Sequence, residues 1–405
     1  MSEQFAIGLD EALALTLQHL CPLPPETVAL EDGVDRVAAE DLYAKVDSPS
    51  VDASLKDGYA VRSENVAGAC PERPVRLVLA GVAAAGIRSE SRLETGQTVR
   101  ILTGARIPDN ADAVLAEEFV RLEGDAIMAE NSAEKGRNVL RKGSDVVQGQ
   151  RLLCRGAPIS PGFVGLLAAA GHDQVPVCKP PRVAIIATGD EVVAPGQPLP
   201  EGKLYASNLA TLSAWCRRHG WPTRCTIVRD EPQELMENLL TAAEEADAVV
   251  TSGGAWSGDR DLVARMLEQL GWKKVFHRVR IGPGKGAGFG ILAGKPVFIL
   301  PGGPPSNLMG FLQIALPGLQ RLAGFENPGL SRAVMQMAEE VSGLEKDWTQ
   351  FIFGVILNSG ELPLFHPLRS KSRLQSMAKA QAVVAIPEGT TKIAAGTIVT
   401  AQLLI

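Results

Sequence analysis

Residues 182–191 read Arg-Val-Ala-Ile-Ile-Ala-Thr-Gly-Asp-Glu: the apolar run Val183 to Ala187 breaks into a glycine turn carrying two acids. A run with no polar alternation predicts a strand covered on both faces, as in a parallel sheet. The same grammar recurs downstream. Ala248 to Thr251 leads into Ser252-Gly253-Gly254, and Val297 to Leu300 leads into Pro301-Gly302-Gly303-Pro304-Pro305. A further strand, Thr223 to Val228, ends near Asp230. Helices are predicted between them: Asn208 to Arg218 closed by Gly220, Pro232 to Ala246 with proline in its first turn, Asp261 to Leu270 ended by Gly271, and a last one starting at Ser306. Apolar strands alternating with helices define a doubly wound parallel α/β sheet with right-handed crossovers over 180–326.

In such a sheet ligands bind outside the carboxyl ends of the strands. Three loops lie at those ends: Ala187 to Glu191, Thr251 to Asp261, and Leu300 to Asn307. Glycine lets backbone N–H groups approach a ligand, and helix starts near Asp261 and Ser306 would add positive dipole ends, which together suit a phosphate. Ordinary turn chemistry would account for one such loop; three adjacent ones favour a ligand. Asp190, Glu191, Asp230, Asp259 and Asp261 accompany them, and acids beside a phosphate call for a bridging divalent cation such as Mg²⁺. Asp261 would also serve as a helix cap. Lys285, in Ile281-Gly282-Pro283-Gly284-Lys285-Gly286, is a candidate for the anion, helped by Arg278 and Arg280.

With 405 residues the chain exceeds one core, so two to four domains are expected. Leu9 to Leu20 has helical periodicity with Asp10 as N-cap; the stretch from Val46 to Val146 alternates in short β-branched runs and reads as a β-rich domain. Within it, Ser54 to Ala60 (SLKDGYA) and Asn138 to Asp145 (NVLRKGSD) read as surface loops on physical grounds alone. Ile159 to Ala170 reads as a short helix, its Phe163 to Ala170 stretch as core, and the chain beyond Pro328 as a small all-β domain. The net charge of -6 argues against a nucleic-acid partner. No basic, apolar leader and no membrane-length run occurs, so a cytoplasmic protein without a membrane partner is expected. The six cysteines and five histidines are scattered without zinc spacing.

Taken in order, these segments resemble the MoeA family of molybdopterin molybdenumtransferases. The motifs are SLKDGYA, Arg100 to Glu118 (RILTGARIPDNADAVLAEE), NVLRKGSD, VAIIATGDEVVAPGQPL, Tyr205 to Asn208, IVRDEP, TSGG with Gly258 and Asp261, PGKG, LPGGPPS, and the Pro387-Glu388-Gly389 and Ala395-Gly396 turns. The resemblance implies an N-terminal mixed domain of 1–46 with 147–179, a β-rich domain of 47–146, a MogA/MoaB-like α/β domain of 180–326, and a C-terminal small β-barrel of 327–405. It implies a homodimer that inserts molybdate, or tungstate, into molybdopterin-adenylate with Mg²⁺-dependent release of AMP. Its partners would be a MogA-like molybdopterin adenylyltransferase and apo-molybdoenzymes or their chaperones. A non-catalytic cofactor carrier or scaffold is the alternative. By motif, Asp57, Asp145, Glu191, Asp230, Asp261 and Lys285 would be catalytic; Asp190, Glu191, Asp230 and Asp261 would hold the metal; Thr103, Thr188, Gly189, Ser252, Gly253, Gly254, Gly258, Pro301, Gly302 and Ser306 would bind the cofactor. Asp57 and Asp145 of one subunit would face the α/β domain of the other.

The chain departs from the family pattern at this rim. Leu55-Lys56 precedes Asp57, Ala206 replaces an aspartate, Trp256 a serine, Gly282 a lysine, Gly286 a proline, Gly303 an asparagine and Pro305 a valine. Arg280 or Lys56 are candidates to restore the missing positive charge, and Trp256 would either stack on a ring of the ligand or pack as a core indole.

Overall fold

A computed structural model of the chain describes residues 6–86, 92–254, 262–358, 360–369 and 372–404. Helix α1 (Leu9–Gln18) opens the chain; its N-cap is Gly8 with no side-chain cap, so Asp10 lies inside the first turn rather than capping it. Strand Pro25–Ala29 then pairs antiparallel with Gln174–Cys178, closing the first layer around a small core that includes Leu30, Ile159 and Leu167.

The β-rich region follows: β1 (Ala53–Ser54), β2 (Gly58–Val61), β3 (Val75–Ala83), β4 (Gln97–Ile101), β5 (Ala113–Ala116), β6 (Val120–Glu123), β7 (Ala126–Ala129) and β8 (Val139–Leu140). Six of them form a sheet in the order β5-β2-β4-β3-β7-β6, antiparallel except where β3 meets β4. Apolar clusters cover this sheet, one around Tyr59 and Leu115 and another around Val99 and Ile101. The Gly58-Tyr59-Ala60 half of SLKDGYA is therefore a buried strand, not a surface loop. Gly58 has a steric reason to be there, because a Cβ would stand 2.2 Å from the Leu115 carbonyl oxygen of the neighbouring strand.

Helix α2 (Pro161–Ala169) is capped by the Ser160 hydroxyl and carries no charged residue. Only Leu167 of its residues is buried, so this apolar helix is a half-covered surface rather than core.

Next come β9 (Val183–Thr188), α3 (Ser207–Arg218), β10 (Thr223–Val228), α4 (Pro232–Glu245), β11 (Ala248–Ser252), α5 (Leu262–Gln269), β12 (Lys273–His277), β13 (Ile281–Gly282), β14 (Gly288–Leu292) and β15 (Lys295–Leu300). The sheet order is β10-β9-β11-β15-β14-β12. Strands β10, β9, β11 and β15 are parallel as expected. Strand β14 runs antiparallel between β15 and β12, which extends the parallel sheet into a mixed one. The chain moves from β9 outward to β10, then crosses back to β11 on the other side of β9. That places the topological switch point between β9 and β11. Apolar cores cover both faces, one under α3 and the C-terminal helices, the other under α4 and α5.

The last helices, α6 (Pro304–Gly310) and α7 (Leu316–Leu322), are joined by a wide π-helical turn at Phe311–Ala315. Helix α6 starts at Pro304, two residues before the expected Ser306. Beyond it, β16 (Arg332–Met337), β17 (Thr349–Leu357), β18 (Leu364–Pro367), α8 (Arg373–Lys379), β19 (Ala382–Ile386) and β20 (Ile398–Leu403) build the C-terminal unit. Its strands close in the ring β17-β18-β16-β20-β19-β17, a five-stranded barrel around Met335, Phe365 and Ala401. The barrel docks on the α/β unit through a shared core in which Phe351 and Val383 join Phe289 and Phe311.

Candidate functional site

The switch point is where the predicted loops meet. Thr188 ends β9 and Ser252 ends β11, both buried. Gly253 sits at φ +104°, and a Cβ there would lie 2.5 Å from the Thr188 carbonyl oxygen. Gly254, at φ +67°, would meet Val263 at 2.6 Å and the Thr188 hydroxyl at 3.1 Å. The turn thus lies directly against β9, a packing only glycine allows. Gly302 approaches the same place, its absent Cβ 3.6 Å from Gly253 Cα. Among the described residues, the hydroxyls of Thr188 and Thr251 are buried there without a hydrogen-bond partner. Buried polar groups rarely stay unpaired without a role, so an unpaired hydroxyl beside a glycine cradle fits a polar ligand.

Two amides, one of them from the start of α3, tie the β11 and β15 loops together. Asn307, 1% exposed, donates from Nδ2 to Ser252 Oγ at 3.0 Å and to the Pro301 carbonyl at 2.9 Å. Asn208 donates from Nδ2 to the same Ser252 Oγ at 3.3 Å and to the Gly302 carbonyl at 2.8 Å. The sequence flagged the loops but not this clamp; Asn208 and Asn307 lay inside the quoted segments with no role given. Ser306 lies one turn away, its Oγ 4.0 Å from a Cβ built on Gly303. With proline in the first two positions of α6, two backbone donors are missing there. The amides of Gly302, Gly303 and Ser306 are what this loop can present to an anion.

Acids gather on the β9–β10 side. The backbone N–H of Asp230 donates to Asp190 Oδ1 at 3.3 Å. The Glu191 carboxylate folds back over Gly189, 2.6 Å from where a Cβ would stand. Partial burial, followed by the charges of Asp190 and Glu191, pushes the Asp230 carboxyl above the usual carboxylate range. Lys203 donates to the Asp190 carbonyl rather than to a carboxylate. Excess negative charge on hard oxygen donors is what a divalent cation relieves. Among the described residues no three such groups enclose a cation by themselves, so these acids would share it with ligand oxygens, as Mg²⁺ sites usually do. Asp259, Asp261, Gly258 and Trp256 lie outside the described residues.

Lys285 is exposed in the loop between β12 and β14, whose ends His277 and Gly288 stand beside Ile299 at the same rim. Its Nζ lies 5.0 Å from the centroid of the Trp348 ring. Arg280 is held elsewhere: it donates to the Ala6 carbonyl at 2.7 Å and pairs with Glu388 at 3.1 Å, a structural tie. Lys56 pairs with Glu118 at 3.8 Å in the β-rich region. Neither supplies the rim's missing charge within this chain. Ala206, where an acid was expected, is buried.

A second set of motifs converges in the β-rich region. Strand β1 pairs with β8, Ser54 opposite Val139, so SLKDGYA and NVLRKGSD lie side by side. Asp57 Oδ1 accepts from the Thr103 backbone N–H at 2.6 Å and from its hydroxyl at 2.7 Å. The backbone bond first, then the hydroxyl, holds this exposed carboxylate below its usual range. Asp145 is also exposed, its N–H donating to the Ser48 carbonyl. Arg141 and the Lys142 backbone both bind Asp52, which shapes the basic turn. Among the described residues no hydrogen bond or ion pair joins 47–146 to the α/β unit of the same chain.

Comparison with known proteins bears on both places. Residues 7–171 match the family described as "MoeA N-terminal region (domain I and II)", and residues 184–321 match "Probable molybdopterin binding domain". The chain is 32% identical over 380 residues to "Molybdopterin molybdenumtransferase 2" of Mycobacterium tuberculosis, covering 92% of this chain and 93% of that protein. It is 31% identical over 411 residues to "Molybdopterin molybdenumtransferase" of Bacillus subtilis, covering 100% and 95%. Among solved structures, the molybdopterin biosynthesis MoeA protein from Pyrococcus horikosii superposes with a TM-score of 0.83 at 33% identity, covering 98% of this chain and 99% of that one.

Proposed function

The chain belongs to the MoeA family of molybdopterin molybdenumtransferases, and from that premise we propose that the switch-point crevice between β9 and β11 is where it handles its adenylylated substrate. The protein acts in molybdenum cofactor biosynthesis as a transferase. The observation that carries the site is the Thr188–Gly253–Gly302 cradle, with an unpaired buried hydroxyl on one side and the acids Asp190, Glu191 and Asp230 on the other.

In this reading the substrates are molybdopterin-adenylate and molybdate, or tungstate. Thr188, Gly189, Ser252, Gly253, Gly254, Gly258, Pro301, Gly302 and Ser306 bind the pterin phosphate through hydroxyls and backbone amides, with Thr103 added from the β-rich region. Asp190, Glu191, Asp230 and Asp261 would hold Mg²⁺, which supplies charge neutralisation for the phosphoanhydride oxygens. Lys285 holds the phosphate or oxyanion. Asp57, kept ionised by Thr103, accepts a proton or orients a water as AMP departs, and Asp145 stands with it.

A homodimer completes the site in this reading, with Asp57 and Asp145 of one subunit facing the α/β unit of the other. Two features support it: among the described residues those acids have no α/β partner in their own chain, and α2 leaves an uncharged apolar face uncovered. The working units are 1–46 with 147–179, 47–146, 180–326 and 327–405. A MogA-like adenylyltransferase would supply the substrate, and apo-molybdoenzymes or their chaperones would receive the product, in the cytoplasm. No helix among the described residues is long and apolar enough to cross a membrane.

The test is AMP release by purified protein given molybdopterin-adenylate, Mg²⁺ and either oxyanion. Turnover with molybdate or tungstate supports the reading. Tight binding without release in the presence of both would point instead to a cofactor carrier.

A further inference from the structure

The Lys285 loop belongs to two units at once. It connects β12 to β14 of the α/β sheet, yet its first residues are β13, which adds to the barrel: Ile281 lies opposite Thr349 and Gly282 opposite Gln350 of β17. The Thr349 N–H donates to the Arg280 carbonyl at 3.0 Å. Arg280 itself reaches Glu388 of the barrel at 3.1 Å. Gln350, 8% exposed, accepts from the Leu344 N–H at 2.6 Å and donates to the Glu345 carbonyl at 2.7 Å, which fixes the turn entering β17. Trp348 sits in that turn, half-buried, with its ring 5.0 Å from Lys285 Nζ. Gly284, at φ +127°, packs on Ile281 and on the α6 residue Gly310, so the lysine's backbone is held from below as well.

A lysine on a four-carbon stem has many rotamers, and ordering it for an anion costs entropy. An indole face attracts an ammonium through the ring quadrupole and narrows that choice in advance. We propose that the C-terminal barrel positions the α/β unit's anion-binding lysine: Trp348 is a positioning residue that holds Lys285 at the rim. The proposal rests on the reading of Lys285 as a site residue. It gives the barrel, which contributes no other described residue to the candidate site, a part in the reaction.

Two measurements separate the proposal from that reading. In the first, the full-length protein is treated with an amine-acylating ester, and modification of the Lys285 peptide is followed by mass spectrometry. The ring contact shields the amine, so Trp348→Leu should label about two- to fivefold faster than wild type, the range an exposed cation–π contact supports, and Trp348→Phe should restore protection. Equal rates in all three overturn the proposal. In the second, AMP release is measured at varied adenylylated pterin. Trp348→Leu should raise KM about two- to fivefold with kcat kept, as for loss of an interaction made equally in ground and transition states. The same substitution should change nothing in a Lys285→Met background. A fall in KM, or a Trp348→Leu effect that persists undiminished without the lysine, overturns the positioning. Wild-type activity in Lys285→Met overturns instead the reading of Lys285 as a site residue, whatever the labelling shows.

Discussion

Asn307→Ala removes the centre of the clamp that joins the β11 and β15 loops. The amide is 1% exposed and its Nδ2 makes two bonds, to Ser252 Oγ at 3.0 Å and to the Pro301 carbonyl at 2.9 Å. Each contributes about 1 kcal/mol net, and the carbonyl left without its donor adds up to about another 1 kcal/mol. Ser252 keeps Asn208, which limits the damage on that side. The sum is a loss of roughly 2–3 kcal/mol from the α/β unit. Urea unfolding read by tryptophan fluorescence reports on that unit, since Trp215, Trp221 and Trp272 all pack in its cores. At an m-value near 2 kcal/mol/M the midpoint should fall by about 1 M. Because the clamp sets the position of Gly302 and Ser252, AMP release should also drop by about tenfold or more at limiting substrate, as small misplacements of a site do. Asn307→Asp, which lacks the donor, should behave like the alanine variant. A midpoint shift under about 0.2 M together with an unchanged KM would refute the clamp.

Gly253 and Gly302 should part company. Gly253→Ala places a Cβ 2.5 Å from the Thr188 carbonyl at φ +104°, so it should destabilise by about 2 kcal/mol or more in the same urea assay. Gly302→Ala meets only Gly253 Cα at 3.6 Å, so its midpoint should stay within about 0.3 M of wild type while AMP release falls at least about tenfold; full activity there would remove Gly302 from the ligand cradle. A pH effect lies at the far end of the sheet, where Asp247 is partly buried against Arg182 and Lys295. Burial opposes its ionisation, but the Arg182 side-chain and backbone bonds outweigh it, so its folded pKa is lowered. The ion pair's stabilisation is then fully present above the unfolded value near 3.9 and is lost as pH falls through the folded value. With Arg182 exposed, Asp247→Asn should cost about 1 kcal/mol at pH 7, and the gap to wild type should close only below about pH 4; a gap already closed at pH 6 would contradict this.

The α/β unit was legible because its signals are local. The five apolar residues before Gly189, the proline-started helix at Pro232 and the glycine-ended strands survive as β9, α4, β11 and β15. Strand β14 was not legible because glycines such as Gly288 and Gly290 are depleted from strands. Those glycines are packing sites: a Cβ on Gly290 would stand 2.4 Å from Trp272 Nε1, and one on Gly288 2.7 Å from the His277 ring. Asn208 and Asn307 were invisible for another reason. Side chains that bond to backbone carbonyls of distant loops leave no local pattern in the sequence, and neither does an indole that meets a lysine across a domain boundary. The pairing of β1 with β8, which sets Asp57 beside NVLRKGSD, is equally non-local. Motif order in the chain carried that information where hydrophobic spacing did not.

The adenylylated pterin is proposed to bind at the switch point between β9 and β11, and a crystal structure of the protein with that ligand tests this most directly. The expected density has phosphate oxygens against the Gly189, Gly253 and Gly302 loops, within hydrogen-bond reach of the Thr188 hydroxyl. Ligand found only in another cleft, such as the one lined by Trp215, His219 and Leu330 between the helices and the barrel, with the Thr188 hydroxyl still unpaired, would contradict it.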